Sequence, residues 1–279
     1  MDIKITADST CDLPQHLVEA YDIHLIPLYV VLGEQSYADR LEINPAQLFA
    51  YMKDDKHTCH TSAGMFTEYR QAFQDNQHFE AIIHISLSSV ISCSHENAVM
   101  AAAKFNNVYV VDSANLCGGS GLMVERAAQL AALGLSAEEI VARLQEMKAK
   151  IDSSFIVNNL EYLKRGGRCS SLSEISANLL QIKPVIEVTE GQMQVGKKYR
   201  GSFVKCVIKY LAERLSDRQD IADEVIYLAT ADCEQEVVAE ARNMIKQMGY
   251  FKRIVELEAG CVISCHCGPG ALGIFFERK

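Results

Sequence analysis

The 279-residue chain has no surplus of basic residues: 27 Lys and Arg face 36 Asp and Glu, a formal net charge of -9. Holding a phosphate backbone across a broad surface requires the opposite balance, so nucleic acid is excluded as a general partner. No apolar run approaches the roughly 18 residues of a membrane-spanning helix. The opening residues include Asp2, Lys4 and Asp8 and form no apolar signal core, so the expected location is cytoplasmic. In that compartment the ten scattered cysteines read as reduced thiols, not as a disulfide framework. Neither a low-complexity linker nor an internal repeat is evident. A G-x-G-x-x-G turn, a P-loop lysine and a G-x-S-x-G elbow are also missing.

What is present is ordinary globular material, 49% hydrophobic and 23% charged, long enough for two domains of roughly 100–150 residues. Strands are expected at 3–6, 79–86 and 108–111, with helices at 14–20, 64–75, 92–105, 121–133 and 136–151. Residues 24–32 and 34–37 read as an extended, hairpin-like excursion. Asn44 followed by Pro45 marks a helix start, a capping side chain and then proline. This alternation predicts an α/β fold with a mostly parallel N-terminal sheet flanked by helices. The rhythm then shifts to a strand at 153–157 and a hairpin of 183–188 with 193–199. A helix at 203–215, a strand at 225–230, a helix at 234–248 and strands at 253–257 and 273–276 follow. The domain boundary is expected near residue 150, giving an N-terminal domain over 1–150 and a C-terminal α/β domain over 151–279.

Hydroxyl side chains cluster before two of the predicted helices. His60-Thr61-Ser62 precedes the one near Gly64. Ser86-Leu87-Ser88-Ser89-Val90-Ile91-Ser92-Cys93-Ser94 follows a strand and opens the next helix. Helix N-termini present unsatisfied N–H donors and about half a positive charge. Added hydroxyls make a compact site for a carboxylate or phosphate. Capping explains any single Ser or Thr at such a place. One helix needs one cap, however, and this loop supplies five serines.

Several segments resemble motifs of the DegV family of fatty-acid-binding proteins, in the family's order. Asp8-Ser9-Thr10-Cys11-Asp12-Leu13-Pro14 is similar to its D-S-T-x-D-L-P opening, and Thr61-Ser62 to the T-S of P-T-T-S-Q-P. Ser88-Ser89-Val90-Ile91-Ser92-Cys93-Ser94 is similar to S-S-x-L-S-G-T. Val111-Asp112-Ser113 with Gly118, Gly119 and Gly121 resembles D-S-x-x-x-S-x-G-x-G. Leu160 to Arg168 resembles L-x-Y-L-x-K-G-G-R, and Leu180-Gln181-Ile182-Lys183-Pro184 resembles L-x-I-K-P. His266-Cys267-Gly268-Pro269-Gly270-Ala271-Leu272-Gly273 is similar to H-x-G-P-G-A-x-G.

The resemblance implies a two-domain DegV-like fold, with carboxylate-binding loops in residues 1–150 and residues 151–279 closing an acyl pocket. It implies a non-catalytic carrier that buries a long-chain fatty acid between its domains and needs no cofactor beyond that ligand. Thr61 and Ser92 would hold the carboxylate, with Ser62 and Cys93 adjoining and His266 beside them. The implied partner is the catalytic subunit of a fatty acid kinase, which makes an acyl-phosphate for phospholipid synthesis. Arg168 and Arg200 would serve the exposed head group or the kinase, with transient contact at a membrane surface. Two departures stand out: Cys93 replaces the motif glycine, and Ala63-Gly64-Met65 replaces Q-P-S.

Other clusters have plainer readings. Cys261, Cys265, His266 and Cys267 suggest zinc. Read as an extended segment, however, they would point alternately to opposite faces, as ordinary thiols. Gly118-Gly119-Ser120-Gly121 fits close helix–sheet packing better than a nucleotide turn. Lys164 and Arg165 fit a helix C-terminus ended by glycine, and Arg168 lies beyond it. Ser92 with His266 as nucleophile and base defines the rival reading, a small-molecule hydrolase or transferase. A lipid-sensing regulatory module is the other.

Overall fold

Residues 2–53, 57–168 and 182–279 are described by a computed structural model. Strand β1 (Ile3–Asp8) lies between β2 (His24–Ile26) and β6 (Ala81–Ser86), and β7 (Val108–Asp112) completes an all-parallel sheet of order β2-β1-β6-β7. β6 is buried throughout, as expected of a parallel strand covered on both faces. Pro27, which lacks an N–H, ends β2. The expected 24–32 excursion is therefore divided between two sheets. Its second part, β3 (Tyr29–Leu32), is the middle strand of an antiparallel sheet with β4 (Gln35–Ala38) and β5 (Cys59–Ser62).

A six-stranded mixed sheet uses residues from Ile151 onward, in the order β10-β9-β8-β13-β11-β12. These strands are β8 (Ile151–Val157), β9 (Ile182–Thr189), β10 (Gln192–Arg200), β11 (Ile221–Ala231), β12 (Arg253–Glu258) and β13 (Ala271–Arg278). Only β11 and β12 run parallel. The expected combination of a parallel and a mixed sheet is what the chain adopts.

The helices are α1 (Gln15–Ala20), α2 (Pro45–Met52), α3 (Phe66–Asp75), α4 (Ser94–Ala102), α5 (Cys117–Ala132), α6 (Ala137–Lys148), α7 (Glu161–Gly166), α8 (Phe203–Leu215), α9 (Gln235–Met248) and α10 (Cys261–Cys267). The start of α2 is as read from sequence: Asn44 accepts from the Gln47 amide, and the Gln47 side chain accepts from the Asn44 amide. Helix α5 touches β1 and β6 on one side and β8, β11 and β13 on the other. It begins at Cys117, not Gly121, because its glycines are packing positions inside the helix. A Cβ on Gly118 would sit 2.6 Å from the Phe275 ring, and one on Gly121 would sit 2.7 Å from the Cys11 carbonyl oxygen. One apolar core accordingly runs from Ile5 and Ile85 through α5 to Phe155 and Phe275.

Two expectations about the cysteines need correction. Residues 261–267 are helical, not extended. The N-terminal amides of α10 donate to carboxylates distant in sequence: Gly260 N to Asp12 Oδ1 at 2.9 Å, and Cys261 N to Asp39 Oδ1 at 2.8 Å. No local cap therefore advertises this helix. The reading of ten reduced thiols is also wrong, since Cys59 and Cys265 form a disulfide. They lie 206 positions apart, a pairing that linear spacing does not reveal. Leu180 and Gln181 of the L-x-I-K-P motif lie outside the described residues, as does the tenth cysteine, Cys169.

Candidate functional site

Thr61 lies on a strand, not at the helix start expected for it. It is opposite Val30 in the β3–β5 pairing, and α3 begins only at Phe66. Cys59 and Thr61 share one face of β5 by the two-residue period of a strand. That face meets α10, to which it is tied by two adjoining links. Thr61 Oγ1 is 2.8 Å from His266 Nε2, and Cys59 is bonded to Cys265. Behind the imidazole, α7 approaches so closely that a Cβ on Gly166 would lie 2.1 Å from His266 Nδ1.

His266 Nδ1 is buried and has no hydrogen-bond partner among the described residues. A bare lone pair tolerates that position better than an N–H does, which puts the proton on Nε2. Thr61 Oγ1 then accepts from the imidazole and keeps its own hydroxyl proton to donate elsewhere. Burial holds the imidazole well below its ordinary value, at about 4, with the positive charge of Arg168 adding to the effect. His266 is therefore neutral at physiological pH.

Residues 86–94 form the facing wall, positioned by buried polar contacts. Asp8, at the end of β1, accepts from the Leu87 amide at 2.7 Å and from the Tyr69 hydroxyl at 2.6 Å. Gly64 leaves room for that tyrosine, since a Cβ there would be 2.5 Å from its hydroxyl. The serine surplus has mostly structural uses. Ser86 pairs with the His95 ring, Ser88 donates to the Gly191 carbonyl, and Ser89 donates to Asp112. Ser94 accepts weakly from the Gly64 amide. Ser92, bonded to Ser94 Oγ at 2.8 Å and lying two residues before α4, is the one serine of the five that lines the cavity. Cys93 adopts φ -78°, so cysteine fits without backbone strain where the family motif has glycine.

These walls enclose a cavity of about 290 Å³. Thr61, Ser62, Ser92, Cys93 and His266 all line it, together with Arg168. Leu28, Leu87, Ile91 and Leu116 contribute apolar surface from the first half of the chain. Phe155, Leu163, Met193, Val262 and Ile263 contribute it from the second. A narrow extension of about 30 Å³ shares Leu116, Phe155, Ile263 and Cys267 and continues to Ala229, Ala231 and Gly273. Arg168 is exposed, and its guanidinium donates to the Gly166 carbonyl at 2.8 Å. Arg200 is exposed at the end of β10 and is not among the lining residues. The structure thus brings six of the seven sequence-predicted residues together and leaves Arg200 apart.

Sequence reasoning missed the residues that hold α10. Asp39 accepts from Ser9 Oγ as well as from Cys261, and Asp12 also accepts from Arg40 at 3.1 Å. Burial pushes the Asp12 carboxyl up to about 6, against the opposing pull of Arg40. The Asp8–Ser9 and Asp12 motif residues were visible in sequence, but their partners were not.

The arrangement does not make a nucleophile–base pair. Nε2 of His266 is engaged by Thr61, Ser92 Oγ by Ser94, and no acid orients Nδ1 among the described residues. Nor do the described residues include a group of three His, Cys, Asp or Glu placed to hold a metal ion. No helix is long and apolar enough to cross a membrane among the described residues.

Hydroxyls and an imidazole thus share the lining of a mostly apolar cavity set in an α/β fold. The family model described as "Uncharacterised protein, DegV family" matches residues 2–279, and the chain belongs to that family. It is 31% identical over 281 residues to a DegV domain-containing protein of Caldanaerobacter subterraneus subsp. tengcongensis, covering 99% of both chains. The structure of a fatty-acid-binding DegV family protein from Thermus thermophilus matches with a TM-score of 0.91 at 28% identity, covering 100% of both chains. DegV of Bacillus subtilis, described as a fatty acid binding protein, matches with a TM-score of 0.85 at 28% identity and the same coverage.

Proposed function

We propose that this protein binds one long-chain fatty acid in the cavity, between domains that divide near residue 150. The observation that carries this reading is the cavity's lining, in which Thr61, Ser92 and His266 stand among leucine, isoleucine and phenylalanine side chains, with Thr61 and His266 in direct contact. The fatty-acid binding of the Thermus thermophilus and Bacillus subtilis relatives supports it. The carboxylate accepts from the hydroxyls of Thr61 and Ser92, and the N-terminal end of α4 adds a favourable dipole. Ser62 and Cys93 complete the rim. Each buried methylene contributes about 0.8 kcal/mol, so the acyl chain provides most of the affinity.

The protein then acts as a carrier and performs no chemistry itself. It presents the head group to a fatty acid kinase catalytic subunit, and the acyl-phosphate formed feeds phospholipid synthesis. Arg168 at the rim accompanies the head group, and Arg200 belongs to the kinase-facing surface, with membrane contact transient. The test is to extract the purified protein with organic solvent and identify the extract by mass spectrometry. The expected result is a near-stoichiometric long-chain fatty acid. Its absence, together with failure of the stripped protein to take up palmitic acid, would overturn the reading.

A further inference from the structure

The Cys59–Cys265 disulfide adjoins two polar residues of the cavity lining, Thr61 and His266. Cys59 precedes Thr61 by two positions on the same face of β5, and Cys265 directly precedes His266 on α10. The hydrogen bond between Thr61 and His266 and the covalent bond beside it therefore join the same two elements. Helix α10 is also held at its first turn by Asp12 and Asp39, and it packs against α7. His266 is at the other end of the helix, where the disulfide is the covalent tether to β5 beside its hydrogen bond to Thr61. Cys265 is buried, whereas Cys59 is half-buried.

We propose that Cys59 and Cys265 form a thiol–disulfide modification site that sets how firmly the cavity holds its ligand, an inference that rests on the fatty-acid reading above. In the oxidised protein the two sulfurs keep Thr61 and His266 in register, and the Thr61 hydroxyl proton stays directed to the carboxylate. A dithiol reductant reverses this. One of its thiolates attacks Cys59 Sγ, the Sγ–Sγ bond breaks, and Cys265 leaves as a thiolate and takes up a proton. The second thiol of the reductant then displaces Cys59 as a thiol. The reductant ends as a disulfide, and two electrons and two protons are delivered to the protein. With the tether gone, β5 and α10 are joined here by a single hydrogen bond, and the head group is released more easily. A disulfide in a protein exposed to cellular reductants is more often a sensor than a permanent brace.

The experiment compares dissociation of radiolabelled palmitic acid from the full chain in oxidised and dithiothreitol-reduced forms, with the bond's state read by mass spectrometry of thiol-alkylated peptides. Reduction should speed dissociation about tenfold, the equivalent of one well-formed hydrogen bond to the head group. The double variant Cys59→Ser/Cys265→Ser should release ligand at the reduced rate and ignore dithiothreitol. Equal rates in both forms of the wild type would overturn the proposal while leaving fatty-acid binding intact. Two free thiols after treatment with oxidised glutathione would overturn it as well. If neither form retains palmitic acid, it is the fatty-acid reading that fails. Circular dichroism of the reduced wild type separates loosened binding from loss of fold, and an unfolded reduced protein would assign the disulfide a structural role and refute the switch.

Discussion

Thr61 Oγ1 and His266 Nε2 lie 2.8 Å apart although 205 positions separate the residues in the chain. The contact joins a strand from the first half to a helix near the C-terminus. With the imidazole proton on Nε2, the threonine hydroxyl accepts from the ring and keeps a proton that the proposed carboxylate would accept.

Removing both proposed head-group donors should weaken binding without unfolding the protein. Each charge-assisted hydrogen bond is worth about 1.5–3 kcal/mol, so Thr61→Val with Ser92→Ala should reduce palmitic acid affinity about 100-fold or more. Isothermal titration of the stripped protein gives the affinity, and a thermal melt checks the fold. Unchanged affinity in a folded variant would dismiss these two residues as the carboxylate site.

Gly166→Ala offers a test that touches no hydroxyl. A helix tolerates alanine better than glycine, yet here the added Cβ would fall 2.1 Å from His266 Nδ1. The ring must move, and its bond to Thr61 is lost. We expect affinity to fall about tenfold, the cost of one displaced hydrogen-bonding group. A gain in stability with binding unaltered would mean that α7 does not position the imidazole.

The titration of His266 has a defined sign. Its folded value is about 4, against an ordinary 6.5, so between those values the unfolded chain binds more protons. The contribution to stability is fully present above pH 6.5 and is lost as the pH falls through about 4. Asp12 acts in the opposite sense: raised from 3.8 to about 6, its contribution is present below pH 3.8 and lost as pH rises through about 6. Comparison with His266→Gln cancels the Asp12 effect, because both proteins contain it. Urea unfolding should show the wild type losing about 3 kcal/mol relative to this variant from neutral pH down to about 4. A difference independent of pH would place the imidazole at an ordinary value.

The two arginines should separate by assay. Arg200→Ala should leave palmitic acid affinity unchanged and slow acyl-phosphate formation with a cognate kinase, because the residue stands apart from the cavity. Arg168→Ala removes a positive charge that depresses the His266 titration, so the histidine value measured by NMR should rise. Normal kinase turnover with Arg200→Ala would withdraw its partner role, and an unmoved histidine would mean the Arg168 guanidinium lies far from the ring.

Much of the framework could be read along the chain because its causes are local. Asn44, Pro45 and Gln47 form a cap within four positions, and α8 spans the residues that its periodicity predicts. Of the five serines at 86–94, four hold the loop and Ser92 alone lines the cavity, so the surplus read along the chain is mostly structural. Packing explains the glycines of α5, and the Phe275 and Cys11 atoms that demand them could not be located from sequence.

The sequence alone determined the α/β class, the order of most elements and the residue types at the cavity, since those follow from hydrophobic period, caps and motif order. The tertiary structure decided that Thr61 belongs to a strand, that residues 261–267 are a helix and that Cys59 is bonded to Cys265. It also decided that Arg168 reaches the cavity while Arg200 does not. The strand pairing of Thr61 is with Val30, and the disulfide joins elements about 200 positions apart, so both depend on registers in which a shift of one residue turns a side chain to the opposite face. The opening link between Thr61 and His266 is of that kind: both residues could be named from sequence, and only the fold makes them partners.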